Sequence, residues 1–469
     1  MAEPPISREV LQTLGDQPEA LIDIILRQGE RILAQRQLIG QQQEAIRRLA
    51  KQVAGLEEQL GQGGPGGAAP FRVRQDKRSR APKKPGRRQG HQGRWRATPG
   101  QVDQTIEVAL ERCPHCGAEP EDVRDIVQHL IELPPIKPLV IKLRTQRGWC
   151  PHCRQACASG HPLQVSQATG AAGTHLGPGS LAAAAELRYA AGLTMRTTCA
   201  VMESLLGLRL TPGGLSQAMD RAADRNCDHY HDLERIIRGS QVLHTDETGW
   251  WLENRRASLW VMCQPQATLY RIVDHKDRAT FHETIPPDWP GVLVSDCLAV
   301  YDDATGLQHK CYAHHLKAIS QARERLQIPS PWLDQVRLLL TAAIALDKER
   351  DALEPAKFAE TKRALHLAAH ALLTEDLRPC PHEEAVRNRL WKQRDHLLVF
   401  LDHPGVDATN NLAERQLRPA VIRRKLSCGN KTRRGARSFE ILASLAATFR
   451  QTGQSFLGNI AAAMHLQQV

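Results

Sequence analysis

Gln241-Val-Leu-His-Thr-Asp-Glu-Thr-Gly249 is the stretch on which the fold turns. Its first five residues, QVLHT, form a short run with strand character that ends on Asp246. Ser258–Gln264 (SLWVMCQ) and Ala267–Val273 (ATLYRIV) follow, and their β-branched and aromatic content predicts a hairpin. A helical stretch is expected near Asp277–Glu283. Gly291–Ser295 (GVLVS) then reads as a buried strand ending on a second aspartate, Asp296.

A three-stranded meander, a helix, and a strand returning beside the first is the order of a ribonuclease-H-like fold. That order would bring Asp246 and Asp296 to neighbouring strand ends. Two hard oxygen ligands at one spot, joined by a third acid from a helix, suit Mg²⁺. Two such ions about 3.5–4 Å apart can activate an attacking oxygen and stabilise a leaving one in phosphoryl transfer. Taken alone, these are two of 51 acidic residues, and ordinary surface aspartates would be the simpler reading. Glu247 is expected on the opposite face of the strand, and Asp302 and Asp303 past the second strand, near a turn at Gly306.

Outward from this segment the texture is helical. Residues 316–402 are rich in Ala and Leu, a new helix opens near Asp407 (NNLAERQLRPAVIRRK), and one more amphipathic helix is expected to close the chain. On the other side, residues 178–225 read as helices broken at Gly192-Leu193-Thr194 and at Thr211-Pro212-Gly213-Gly214. That pattern fits a helix-turn-helix-like module and fits any small helical bundle equally well.

Upstream lie two matching knuckles, Cys113-Pro-His-Cys116 and Cys150-Pro-His-Cys153, with 33 residues between them. A Cys-x-x-Cys turn presents two thiolates from one tight loop, and two such turns supply the four soft ligands of a structural Zn²⁺. Disulfides are the alternative, disfavoured in a chain without secretory features. Ile131–Arg147, between the knuckles, is expected to form extended strands. Cys157 and His161 are candidate substitute ligands, while His115 and His152 are expected to be solvated.

Net charge is +11 over 469 residues, and its placement is informative. Pro70–Arg96 holds eleven Lys or Arg against the single Asp76, so ten of the eleven net charges sit in 27 residues. One basic tract on a near-neutral body points to a polyanionic partner, with a solvated linker as the bland reading. Lys77, Arg78, Arg80, Lys83, Lys84, Arg87 and Arg88 are its candidate contacts to such a polyanion. Before it, Ile25, Ile32, Ile39, Ile46, Val53 and Leu60 recur every seventh residue, the a positions of a coiled-coil heptad. No apolar run approaches the ~18–20 residues of a membrane span. The opening residues lack a signal peptide's basic start and apolar run, so a cytoplasmic chain is expected.

Several motifs recur in a recognisable order: His244-Thr-Asp-Glu-Thr-Gly249, Ser295-Asp-Cys-Leu-Ala-Val-Tyr301, Lys310-Cys-Tyr-Ala-His314 and Asn410-Asn-Leu-Ala-Glu414-Arg-Gln-Leu-Arg418-Pro. Together they resemble the transposases of the insertion-sequence 66 family. The resemblance implies an Asp-Asp-Glu triad of Asp246, Asp296 and Glu414, with 49 and 117 residues between successive members. It also implies two Mg²⁺ or Mn²⁺ at the catalytic site, and metal-dependent cleavage and strand transfer without a covalent protein–DNA intermediate. The implied partners are double-stranded DNA (element ends and target), a second copy of the chain in a homodimer or larger assembly on DNA, and companion proteins of the same element.

Physical reasoning supports Glu414 beside this, since Arg415, Arg418, Arg423, Arg424 and Lys425 follow it as candidate phosphate contacts. A salt-bridged Glu414–Arg418 helix pair is the alternative. Cys311 and His314 are read first as packing and hydrogen-bonding residues.

The expected architecture is therefore a multidomain α/β chain. It comprises a tail (1–18), a coiled-coil helix (19–62), a basic linker (63–100), a small zinc-binding domain (101–166) and a helical DNA-binding module (167–239). A ribonuclease-H-like catalytic core (240–469) follows, with a helical insertion at about 321–404. Two other functions fit the same features: a zinc-containing DNA-binding regulator with an idle triad, and a metal-dependent nuclease without strand transfer.

Overall fold

The computed structural model describes residues 97–465, apart from 134–135, 167, 169, 171–172, 303, 305, 327 and 375–379. The heptad helix and the basic tract from Lys77 to Arg88 lie outside the described residues. The chain divides into two units, Gly64–Pro138 and the rest. The division runs through the expected zinc-binding segment, leaving Cys113 and Cys116 in the smaller unit and Cys150 and Cys153 in the larger.

In the smaller unit the first knuckle is a turn closed by Gly117 N–H donating to the Cys113 carbonyl at 2.9 Å. In the larger unit, β1 (Arg147–Cys150) and β2 (Gln155–Ala158) form an antiparallel hairpin whose turn is the second knuckle. The described residues of Ile131–Gln146 form no strand, contrary to expectation. Their apolar side chains, among them Leu139 and Val140, are exposed and have no partner strand to pair with.

Four helices follow: α1 (Pro178–Ala185, continued as a π-helical turn to Ala190), α2 (Met195–Leu206), α3 (Pro212–Arg225) and α4 (Cys227–Arg238). Thr194 and Thr211 cap α2 and α3 through their hydroxyls, at the two breaks anticipated from sequence. These helices do not stand apart as a separate module. Leu181, Met202, Leu215, Met219, Tyr230 and Ile237 share one core with the central sheet and with Phe439, Leu442 and Ile460 near the C-terminus.

The sheet is built from β3 (Val242–Leu252), β4 (Arg255–Gln264), β5 (Ala267–Val273), β6 (Val292–Ser295) and β7 (Leu307–Lys310), in the order β5-β4-β3-β6-β7. β3, β4 and β5 are antiparallel, whereas β6 runs parallel to β3 and β7 parallel to β6. The short helix α5 (Arg278–His282), capped by Asp277, connects the meander to β6. β4 explains itself from sequence: Leu259–Cys263 are all fully buried, and only a continuous apolar run can fill a strand covered on both faces.

After β7 come α6 (Tyr312–Leu326), α7 (Pro331–Lys348), α8 (Pro355–Thr374), α9 (Pro381–Lys392) and α10 (Val399–Asp402). They form a second core around Trp332, Leu333, Leu340, Leu390 and Phe400 that reaches the sheet through Val292 and Val294. This helical insertion begins at Tyr312, earlier than expected. Its two ends are bonded together, Tyr312 N–H donating to the Ala408 carbonyl at 3.0 Å. Three helices complete the chain, one more than expected: α11 (Asn411–Ser427), α12 (Arg433–Thr452) and α13 (Phe456–Met464). Among the described residues no helix is long and apolar enough to cross a membrane.

Candidate active site

Asp246 lies within β3, which continues to Leu252 instead of ending at Thr245. Asp296 immediately follows β6. The parallel register pairs His244 with Val294, so two further steps along both chains bring Asp246 level with Asp296. Backbone amides hold both carboxylates: Glu247 N–H donates to Asp246 Oδ1 at 2.8 Å, and Leu298 N–H to Asp296 Oδ1 at 2.9 Å.

Glu414 arrives on the first turn of α11. Burial pushes the Asp246 carboxyl up to about 7; the Glu247 amide opposes this, while the charges of Glu247, Asp296 and Glu414 add to it. The three acids of the expected triad thus lie close enough for two to disfavour ionisation of the third.

Asn410 sets that geometry. It is fully buried, and its Nδ2 donates to the Thr245 carbonyl at 2.7 Å, next to Asp246 in the chain. Its Oδ1 lies 3.2 Å from His244 Nδ1, and its backbone N–H points at Cys311 Sγ from 3.1 Å. The Asn410 carbonyl accepts from Glu414 N–H at 3.1 Å. One side chain therefore ties the strand carrying Asp246 to the helix carrying Glu414.

The other acids near this site are occupied differently. Glu247 pairs with Lys276 and accepts the Tyr301 hydroxyl at 3.0 Å. Asp302 pairs with Lys392 at 2.6 Å and with Gln393 at 3.0 Å. A cation that sequence reasoning passed over lies between these groups. Lys310, fully buried at the end of β7, donates to Ser295 Oγ at 3.1 Å. Burial lowers its ammonium to about 8, against the charges of Cys297, Asp302 and Asp296.

On the other side of Glu414, the ligand atoms of Cys311, His314 and Glu414 all lie within 4.8 Å of one another. Among the described residues this is the one set of three or more His, Cys, Asp or Glu side chains whose ligand atoms lie that close together.

The expected basic face of α11 divides into two kinds. Arg415, Arg418 and Lys425 are exposed. Arg424 reaches back to β3, with Nη1 2.7 Å from both Thr248 Oγ1 and the Gly249 carbonyl. Arg423 departs from the expected DNA contact. It is buried, its guanidinium stacked 4.9 Å from the Tyr189 ring centre and 4.7 Å from that of Phe439, and it donates to the Arg188 carbonyl at 3.1 Å. A 17-residue helix must turn one face inward, and Arg423 falls on the face of Ala413, Leu417 and Ala420. Arg433 and Arg434, further along the same cluster, are paired with Asp274 at 2.9 Å and with Asp220 at 3.3 Å.

In each knuckle the first thiol sits below the usual cysteine range. The His115 amide is the main cause at Cys113, and the Cys153 amide at Cys150. All twelve cysteines are free thiols. Trp250 is buried, its ring centroid 5.2 Å from that of Phe439, whereas Trp251 is exposed.

The family described as "Transposase IS66 family" matches residues 173–438, more than half of the chain. That span contains Asp246, Asp296, Glu414 and the Cys311–His314 string, and excludes both knuckles. No curated protein matches the chain.

Proposed function

From membership of the IS66 transposase family, to which this chain belongs, we propose that it is an Asp-Asp-Glu DNA transposase that cleaves element ends and joins them to target DNA. The observation that carries this reading is the convergence of three acids: Asp246 in β3, Asp296 just past the parallel strand β6, and Glu414 on the first turn of α11. The β5-β4-β3-β6-β7 order supports a ribonuclease-H-like core in the same reading.

The donor set fits Mg²⁺ or Mn²⁺ chemically: three carboxylates supply hard oxygens, two of them held by the Glu247 and Leu298 amides. Asp246, Asp296 and Glu414 would hold two such ions, which when bound promote attack by an oxygen nucleophile and stabilise the leaving oxygen. The remaining work falls to the chain itself. Asn410 fixes the separation between Asp246 and Glu414. Lys310 supplies a buried positive charge in the field of Asp296. Arg415 and Arg418, exposed one turn apart beside Glu414, are placed to take flanking phosphates.

Hydrolysis at an element end leaves a 3′-hydroxyl, whose oxygen attacks a target phosphodiester as the bond to the displaced strand breaks. No serine or tyrosine nucleophile is required. In the same reading each knuckle offers a thiolate pair of the kind a structural Zn²⁺ takes, a role suited to the lowered thiols of Cys113 and Cys150. A homodimer or larger assembly would bring two DNA ends together, with companion proteins of the element as further partners.

The test is cleavage and joining of a labelled DNA end in Mg²⁺ or Mn²⁺ by wild type, Asp246→Asn and Glu414→Gln. Loss of product in both variants is expected. Equal activity in all three proteins would overturn the triad.

A further inference from the structure

We propose that Cys311, His314 and Glu414 form a second metal site, selective for a thiophilic divalent cation of the Zn²⁺ class, which shares Glu414 with the acid cluster. Occupying it would draw Glu414 away from Asp246 and Asp296. The binding claim stands independently of the function proposed above, while the consequence for DNA cleavage rests on it.

Donor chemistry is the first argument. One thiolate, one imidazole and one carboxylate are a zinc set, whereas Mg²⁺ favours all-oxygen surroundings. Three protein ligands leave a fourth position for water or a phosphate oxygen. Geometry is the second. Tetrahedral bonds of about 2.0–2.3 Å separate ligand atoms by roughly 3.5 Å. The three donors already lie within 4.8 Å, so side-chain torsions can close the gap.

Backbone placement is the third argument. Cys311 and His314 flank the first turn of α6, with His314 N–H donating to the Cys311 carbonyl at 3.1 Å. Asn410 places Glu414 opposite them, and its own N–H points at Cys311 Sγ from 3.1 Å, as an outer-shell donor to a metal-bound thiolate would.

An independent observation points to a ligand. His314 Nδ1 is buried and has no hydrogen-bond partner among the described residues. A buried ring nitrogen left unpaired on one of the three donors is a donor or acceptor whose partner has yet to arrive.

Cobalt reports on such a site because a thiolate ligand gives Co²⁺ a charge-transfer absorption. Full-length protein, stripped with a chelator and titrated with Co²⁺, should bind about one equivalent more than Cys311→Ser or His314→Ala, with both knuckles intact in all three. Cys311→Ser should lose the matching share of charge-transfer absorption, and Glu414→Gln should weaken the same site about tenfold or more. The serine retains an acceptor for Asn410 N–H, and His314→Ala serves if the serine variant fails to fold. Identical stoichiometry and spectra in wild type and the folded variants would overturn the proposal.

Zn²⁺ should also slow Mg²⁺-supported cleavage by wild type, with about tenfold more Zn²⁺ needed against His314→Ala, each rate taken relative to the same protein without zinc. Equal zinc sensitivity would refute the shared use of Glu414. A wild type that binds the extra cobalt yet never cleaves DNA in Mg²⁺ or Mn²⁺ would count against the transposase reading alone.

Discussion

Asp246→Asn removes a negative charge while keeping side-chain shape and the acceptor for Glu247 N–H, and it should stabilise the metal-free protein above neutral pH. The carboxyl holds its proton to about 7 in the fold, against an ordinary value of 3.8, chiefly because it is buried. Between those values the unfolded chain has released the proton and the folded chain has not. Stability therefore falls as pH rises through that window and levels off above it. Each pH unit costs roughly 1.4 kcal/mol, which sets an upper limit of about 4 kcal/mol. Solvent reaching the part-exposed carboxyl reduces this to about 1–3 kcal/mol.

Asparagine has no such proton, so the variant's advantage should be small near pH 4 and full near pH 8. Glu440, also pushed up to about 7 by burial, gives both proteins a similar slope that cancels in their difference. The assay is urea denaturation of both proteins in a chelator across that range. Mg²⁺ added near pH 8 should narrow the gap by stabilising wild type alone. A variant no more stable than wild type near pH 8 would show that burial does not hold the Asp246 proton in the fold, and the reasoning above would fail.

Asn410→Ala should cost about 1–3 kcal/mol in denaturation, because the Thr245 carbonyl and His244 Nδ1 lose a buried partner. It should also slow DNA cleavage tenfold or more; a variant that cleaves at the wild-type rate would remove Asn410 from the positioning of Glu414. Gly429→Ala should destabilise the fold by about 2 kcal/mol or more, seen as a lower denaturation midpoint, since residue 429 has φ +137 and an added Cβ would meet the Trp251 carbonyl oxygen at 2.2 Å. An unchanged midpoint would contradict the close crossing of these two segments. Replacing Cys113 and Cys150 together by serine should lower the zinc content by about one ion per chain, measured by atomic emission; unchanged zinc would dismiss the knuckles as its ligands.

Much of the core was legible because its apolar pattern matches its period. The β4–β5 hairpin and the helix after Asp277 lie where their residues suggest, with Gln264 and Ala267 closing the hairpin. Strand β7 was missed because Gln308, His309 and Lys310 are polar yet fully buried, and no periodicity rule places such residues inside. Lys310 was overlooked for the same reason. Strand β3 outran its expected end because a carboxylate in mid-strand reads as a terminator until tertiary contacts cover it. Motif order singled out Asp246, Asp296 and Glu414 from 51 acids, which local pattern alone does not do. Arg423 shows the converse limit: a run of cations says nothing about which member two aromatic rings will enclose.

The bond between Tyr312 and Ala408 gives the long interval before Glu414 the character of a cassette. The chain leaves the sheet and re-enters it at one place, and the intervening helices carry a core of their own. Closing a longer excursion is inexpensive, about 0.6 kcal/mol for each doubling of a flexible loop. Stretches between Leu326 and Pro381 can therefore be trimmed or lengthened while Asn410 keeps its grip on Thr245. The interval between Asp296 and Glu414 can thus vary in length, whereas the few residues on either side of the closure cannot.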